Sequence, residues 1–348
     1  MSADPLNDEL IEQVLSRAPS LRVGVLGDLF LDRYLDIDAA LTEPSLETGL
    51  DAYQVVRVRS VPGAAGTVIN NLVALGVGKV CPIAIIGDDG EGYELRQALR
   101  NLKVVDLDCV YTWEGRRTPT YTKPMLSASG QPARELNRLD IKNRTPLPTA
   151  AEDLVLTGLT EVWPHLDAIL VLDQVSEEDC GVVTSRVRDV LAERASADRS
   201  KFVLADSRER IGEFRNVSLK PNRRECLRAI HGKEEGDSAG AARLLAVRTG
   251  RAVFCTVGEN GILIADPVRG EETSAPGYPV NGPIDVVGAG DSTSAGIACA
   301  SGAGLTPVQA AAFGSLVASI TVQQIGTTGT ASPMQVRQRW RETRAQTR

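Results

Sequence analysis

Residues 282–296 read GPIDVVGAGDSTSAG, and their order sets Gly288, Ala289 and Gly290 directly before a single acid, Asp291, at the head of an Ala/Ser-rich stretch that suits a helix. Small residues let the backbone approach a ligand, and the N–H groups of a helix's first turn point at whatever anion lies there. An acid at that place can accept a proton from a hydroxyl attacking phosphorus, while the N–H groups neutralise charge on the transferring phosphoryl group. The same order also suits a tight turn whose aspartate caps the helix. Taken alone, the stretch does not separate a turn from a site.

Other phosphate and redox machinery is missing. Gly78-Lys79 and Gly232-Lys233 are not followed by Ser or Thr, so there is no Walker A loop. GVLGDLFLD, at the end of the first apolar run, lacks the spaced glycines of a dinucleotide fingerprint. With only His165 and His231, neither in a motif, a histidine-centred hydrolase or metal site is disfavoured. Cys81, Cys109, Cys180, Cys226, Cys255 and Cys299 are far apart in sequence and form no C-x-x-C pair, which argues for reduced thiols in a cytoplasmic protein and against zinc or a stapled scaffold.

A net charge of -7 disfavours a broad nucleic-acid surface, so an anionic small substrate needs a locally basic pocket. The N-terminal twenty residues lack the basic and apolar regions of a signal peptide, and the spacing of Leu10, Ile11, Val14 and Leu15 predicts a short amphipathic helix. The apolar stretch 295–322 is interrupted by Gly302, Gly304, Pro307, Gln309 and Gly314, and reads as two packed helices instead of a membrane span. At 348 residues with 4% aromatics, the chain can bury a full core, built from Ala, Val, Leu and Ile.

The elements that must hold the site follow from periodicity. Apolar runs at 22–28, 79–88, 167–173, 201–206 and 251–258 are apolar on both faces, as buried parallel strands are. Helical stretches lie between them at about 64–76, 91–102, 152–162, 176–196, 237–249, 291–302 and 306–324. Strand and helix in alternation predict a doubly wound α/β layer structure. Residues 30–62 and 105–140 break the rhythm with period-two stretches such as YQVVRVRSV, which predicts extra strands forming a small lid within a single domain spanning 1–348.

Set on this frame, further stretches form a pattern. DVVGAGD, Asp285 to Asp291, resembles the C-terminal D-[TV]-x-G-A-G-D signature of ribokinase-like (PfkB family) carbohydrate kinases. GDLFLDRY (27–34) resembles the end of the first strand in that family, where an aspartate, here Asp28, holds a sugar hydroxyl. PGAAGTVINNLVALG (62–76) resembles its first signature, KPNRRE (220–225) its N-x-x-E element, and TVGENG (256–261) its T-x-G-x-x-G turn beside the nucleotide. LDRY, VRVRSVPGAAG, RTPTYTK, NRLD and IGTTGTASP are similar to the kinase half of the heptose-phosphate kinase/adenylyltransferases, whose H-x-G-H half has no counterpart here. Singly, Asn222 and Glu225 read as a helix cap and a first-turn acid, and Gly258 and Gly261 as a hairpin turn.

The resemblance implies a ribokinase-like fold, with a mostly parallel central sheet, helices on both faces and a β-strand lid. It also implies ATP-dependent phosphorylation of a sugar or sugar-phosphate hydroxyl. Asp291 would be the base, and Gly288, Ala289 and Gly290 the anion hole. Asp28, Gly63, Thr67 and Asn71 would contact the sugar; by their own charge, Arg116, Arg117 and Lys123 in the lid suit either a substrate phosphate or a solvated strand face. Lys220, Asn222, Glu225, Thr256, Gly258 and Gly261 would hold ATP, with Mg2+ reached through water from Asn222 and Glu225, and a monovalent cation such as K+ near Asp285 and residues 325–330. Homodimers through the lid strands are implied; nucleic acid and membrane partners are not. The chain departs from the first signature at Thr67, where the family carries Asn, and at Ala64, where it carries Gly; an amide donor is thereby lost, so the sugar can differ. A catalytically idle sensor on the same fold and a nucleoside or fructose-phosphate kinase are the alternatives.

Overall fold

The structure is a computed structural model and describes residues 4–128, 130, 132–267 and 272–346. Helix α1 (Asp8–Arg17) leads into β1 (Arg22–Gly27). The chain then leaves the sheet in a long hairpin, β2 (Leu29–Asp38) and β5 (Val55–Ala64), whose tip carries β3 (Glu43–Pro44) and β4 (Asp51–Ala52). Helix α2 (Ala65–Ala74) returns to β6 (Lys79–Gly87), and α3 (Gly90–Arg100) leads to β7 (Val110–Trp113). A second excursion holds β8 (Thr120–Ser127), β9 (Arg134–Glu135) and β10 (Leu139–Ile141). There follow α4 (Thr149–Val162), β11 (Ala168–Asp173), α5 (Ser185–Ala197), β12 (Phe202–Ser207), β13 (Ser218–Leu219), α6 (Arg223–His231), α7 (Ser238–Thr249), β14 (Val253–Thr256), β15 (Ile262–Ala265) and β16 (Glu272–Ala275). Helices α8 (Ala289–Gly302), α9 (Pro307–Thr321) and α10 (Pro333–Gln346) close the chain.

The main sheet has nine strands in the order β16-β15-β14-β13-β12-β11-β1-β6-β7. Pairing is parallel from β14 through β7, and β15 and β16 extend one edge antiparallel. The uniformly apolar strand runs have a simple cause: successive side chains leave opposite faces, and both faces are covered. In β11, Ala168, Leu170 and Leu172 enter a core shared with α1, α2, α8 and α9, while Ile169 and Val171 enter the other, shared with α4, α5, α6 and α7. The apolar stretch 295–322 is indeed two packed helices, α8 and α9. They cross so closely that a Cβ added at Gly296 would lie 2.8 Å from the Gly314 Cα, so only glycine fits there.

The lid is a separate sheet in the order β10-β8-β2-β5, with β9 paired to β8. Its register places Phe30, Asp32 and Tyr34 of β2 on one face beside Tyr121 and Lys123 of β8. Three boundaries differ from expectation. Residues 110–113 join the main sheet as β7, paired with β6, because their alternate side chains cover its edge instead of a lid face. Helix α5 starts at Ser185 and not near 176; the intervening stretch is an irregular loop at the end of β11, capped by Thr184. Helix α10 was not anticipated, and α6 was marked only by its cap at Asn222 and Glu225: α6 is short and polar, and α10 is interrupted by charge at Arg337, Arg339, Arg341, Glu342 and Arg344. All six cysteines are buried and free, and among the described residues no helix is long and apolar enough to cross a membrane.

Candidate active site

The stretch at 282–296 folds as its order requires. Gly288 takes φ 80, a left-handed conformation that a side chain would strain, and so turns the chain into α8 with Asp291 in the first turn. The Ala289 N–H donates to the Val286 carbonyl at 3.1 Å, so it is removed from the expected anion hole. The Gly288, Gly290 and Asp291 N–H groups have no acceptor among the described residues, and they form the open donor set. Thr67, at the head of α2, stands against this loop: its Cγ2 lies 3.6 Å from the Cβ that Gly288 lacks, with Thr328 on the other side at 3.4 Å.

Asp291 has no hydrogen-bond partner among the described residues. Burial pushes its carboxyl up, Asp206 adds to this by repulsion, and the group reaches about 7 although Lys220 and Arg208 act against the rise; Asp32, from the lid, raises it further. Lys220, 3% exposed, pairs with Asp206 at 2.8 Å, and its Nζ is 3.6 Å from where a Cβ on Gly290 would be. Burial alone would depress the Lys220 ammonium, yet Asp206, Glu225 and Asp291 together hold it above its ordinary value. A charged lysine therefore lies directly under the anion loop.

On the far side of Lys220, Asn222 and Glu225 form a reciprocal capping box at the start of α6. The Glu225 N–H donates to Asn222 Oδ1 at 2.9 Å, and the Asn222 N–H donates to Glu225 Oε2 at 2.8 Å. The cap and the N-x-x-E element are thus the same four residues. Burial, and then Asp206, push the Glu225 carboxyl up. Asn222 bridges to Thr256 at the end of β14, which joins this element to the turn carrying Gly258 (φ 66) and Gly261 (φ 90). Among the described residues no three metal-ligating side chains cluster; one carboxylate with oxygen to spare suits Mg2+, which keeps its waters and binds mainly through substrate phosphates. Asp285 accepts from the Val287 and Gly326 N–H groups, each at 3.0 Å, and so ties the anion loop to residues 325–330.

The sugar side needs correcting. Asp28 is 4% exposed, and its oxygens accept from the Val182 N–H at 2.7 Å and the Gln174 N–H at 3.0 Å, so it organises the loop after β11, beside a small cavity that it lines with Arg116 and Asn143. The carboxylate that faces the lid strands is that of Asp32. It lies on the lid's inner face against Gly63, where an added Cβ would be 2.9 Å from its carboxylate, and 3.5 Å from Lys123 Nζ. Lys123 also contacts the Tyr34 hydroxyl at 3.3 Å. Asn71 is fully buried, donating to the Thr67 carbonyl at 3.0 Å, and does not reach the cleft. Arg117 turns outward to Asp89 and Glu91, at 3.1 and 2.8 Å, because the acidic first turn of α3 lies beside it. Arg116 is bound to the Cys180 and Thr145 carbonyls.

Asp32, Asp206 and Arg208 were missed from sequence, although signals existed. Period two placed Asp32 on one face with Phe30 and Tyr34, Asp206 closes the predicted strand at 201–206, and Arg208 follows it by two residues.

Comparison with known proteins identifies the family. Residues 30–334 match the pfkB family carbohydrate kinases. The chain is 30% identical over 347 residues to the bifunctional protein HldE of Trichlorobacter lovleyi, covering 95% of this chain and 65% of that protein. It is 32% identical over 335 residues to the HldE of Geotalea uraniireducens, covering 94% and 64%. The chain thus spans slightly under two thirds of these relatives' length. In fold it is similar to Arabidopsis thaliana ribokinase, solved with ribose and ATP, at a TM-score of 0.66 and 16% identity, covering 92% of this chain and 98% of that one. A Clostridium perfringens sugar-kinase structure gives 0.67 at 15%, covering 92% and 96%. With its signature loop, lid and parallel sheet in place, the chain belongs to the pfkB family of carbohydrate kinases.

Proposed function

We propose that this chain transfers the γ-phosphoryl group of ATP to a hydroxyl of a sugar or sugar phosphate. The observation that carries the reading is Asp291: an unbonded carboxylate with proton affinity near neutrality, beside the free Gly288 and Gly290 N–H groups and above Lys220. A base with its pKa near the working pH combines readiness to accept a proton with a sufficient deprotonated fraction.

The acceptor lies between the anion loop and the lid, with Asp32, Lys123, Gly63 and Thr67 around it. Asp291 takes the proton of the attacking hydroxyl as its oxygen bonds to the γ-phosphorus and the bond to the ADP oxygen breaks. Lys220 and the loop N–H groups face the charge gathering on the transferring group. Asn222, Glu225, Thr256, Gly258 and Gly261 hold the nucleotide. Mg2+, when bound, draws charge from the phosphates. Asp285 and the loop at 326 are the place for a monovalent cation, which turnover in KCl against choline chloride checks. The acceptor is heptose-phosphate-like, as the HldE relatives suggest, and Thr67 is the residue that would shift it. Strand β5 leaves an exposed apolar edge at Val55, Val56 and Val58, which supports pairing of two copies through the lid; a monomer in sedimentation velocity would remove that part.

Asp291→Asn tests the core of the reading. ADP release with a panel of sugars and sugar phosphates is expected to fall by about three orders of magnitude or more with ATP binding kept. Near-normal turnover in the variant, or none in the unmodified chain, sinks it.

A further inference from the structure

One guanidinium in the cleft has no task in this scheme. Arg208 is anchored twice: its N–H donates to the Asp173 carbonyl at 3.2 Å and its Nε donates to Gln174 Oε1 at 2.8 Å. Gln174 is itself held, since its backbone N–H donates to Asp28 Oδ2 at 3.0 Å. The chain of contacts runs Asp28, Gln174, Arg208, and it fixes the stem of a long flexible side chain. Both terminal nitrogens of Arg208 are without a hydrogen-bond partner among the described residues.

Sheet order gives the direction. The ends of β13, β12, β11 and β1 stand side by side and carry Lys220, then Asp206 and Arg208, then Gln174, then Asp28. Lys220 lies toward Asn222 and Glu225, on the nucleotide side. Arg208 leans the other way, toward Gln174, which lines a cavity under the lid with Phe30 and Tyr121. The two cations differ in what they touch. Lys220 is ion-paired with Asp206 at 2.8 Å, whereas Arg208 is held by a neutral amide and has no ion pair within 4.0 Å among the described residues. A fork of free N–H donors matches the oxygens of a phosphoryl group.

We propose that Arg208 is the acceptor-side cation for the transferring phosphoryl group, opposite Lys220, and that Gln174, with Asp28 behind it, positions it. The assignment rests on the phosphoryl-transfer reading and deepens it. Arg208 exchanges no proton; its N–H groups face the non-bridging oxygens while the acceptor oxygen bonds to phosphorus and ADP departs.

The test is steady-state kinetics with Mg2+-ATP and ribose, fructose 6-phosphate, sedoheptulose 7-phosphate and adenosine as acceptors, on the unmodified chain and on Arg208→Met, Arg208→Lys and Gln174→Leu. Arg208→Met is expected to lower kcat about 100-fold or more with the acceptor KM within about threefold. Arg208→Lys recovers about tenfold of that, since charge returns without the fork. Gln174→Leu loses about tenfold in kcat although the guanidinium is intact, an effect that a purely structural arginine would not produce. Arg208 is exposed, so the fold is expected to survive, and unchanged thermal melting confirms it. An active unmodified chain with an equally active Arg208→Met overturns this proposal alone, as does a loss expressed only in acceptor KM. An unmodified chain without turnover on any acceptor overturns the phosphoryl-transfer reading, and this proposal with it.

Discussion

Two aspartates of this chain end up in similar fields and are bonded in opposite ways. Asp28, at the end of β1, is raised to about 6, first by burial and then by Asp173. Asp291, at the head of α8, is raised to about 7, first by burial and then by Asp206. What separates them is hydrogen bonding. Asp28 spends its oxygens on the Val182 and Gln174 N–H groups, while Asp291 spends neither oxygen on the described residues. A carboxylate that is already an acceptor in the fold is architecture; one held unbonded in a similar field is free for a proton. The field around a group does not by itself say which it is.

The largest effects should come from breaking this contrast at Asp291. Turnover of the unmodified chain should climb with pH through about 7, where Asp291 loses its proton, and fall about tenfold per pH unit below it. Stability runs the other way. The folded state binds this proton more tightly than the unfolded chain, so the stability that it contributes is complete below about pH 4 and is lost as pH rises through about 7. Asp291→Asn should therefore be inactive, yet more stable than the unmodified chain above pH 7, on the order of 1–3 kcal/mol. Equal urea unfolding of the two at pH 8 would show that the acid carries no such strain.

At Asp28 the sign should invert. Asp28→Ala leaves two buried N–H groups without their acceptor and should cost about 2–4 kcal/mol. Its turnover should fall only about tenfold, through the slackened Gln174. A loss as deep as that of Asp291→Asn would mean that Asp28 touches substrate after all, and the contrast would collapse. Smallest of all is Arg117→Met. Its guanidinium is exposed and directed to Asp89 and Glu91 in the first turn of α3, so acceptor KM should stay within about twofold.

Much of this was open to reading in the residues. Burial on both faces makes a parallel strand continuously apolar, so β1, β6, β11, β12 and β14 stood out, and a glycine-rich turn into a helix is local chemistry, so Asp291 and its loop did too. Period two marked β2, β5 and β8 as lid strands, but not that β7, of the same appearance, belongs to the main sheet. The choice of sheet depends on which neighbour pairs with it. The N-x-x-E element and a helix cap proved to be one object, which no spacing could separate.

By itself, the sequence determined the layer architecture, the family, and the identity of the loop and acid at 288–291, because those depend on residue order along one chain segment. Only the tertiary structure tied Asp28 to the loop after β11 and set Asp32 beside Lys123, paired Arg117 with Asp89 and Glu91, used the Ala289 N–H on Val286, and brought Lys220, Asp206 and Arg208 around Asp291. Those outcomes depend on which groups from distant strands compete for the same donors and acceptors, and that competition exists only once the strands lie side by side.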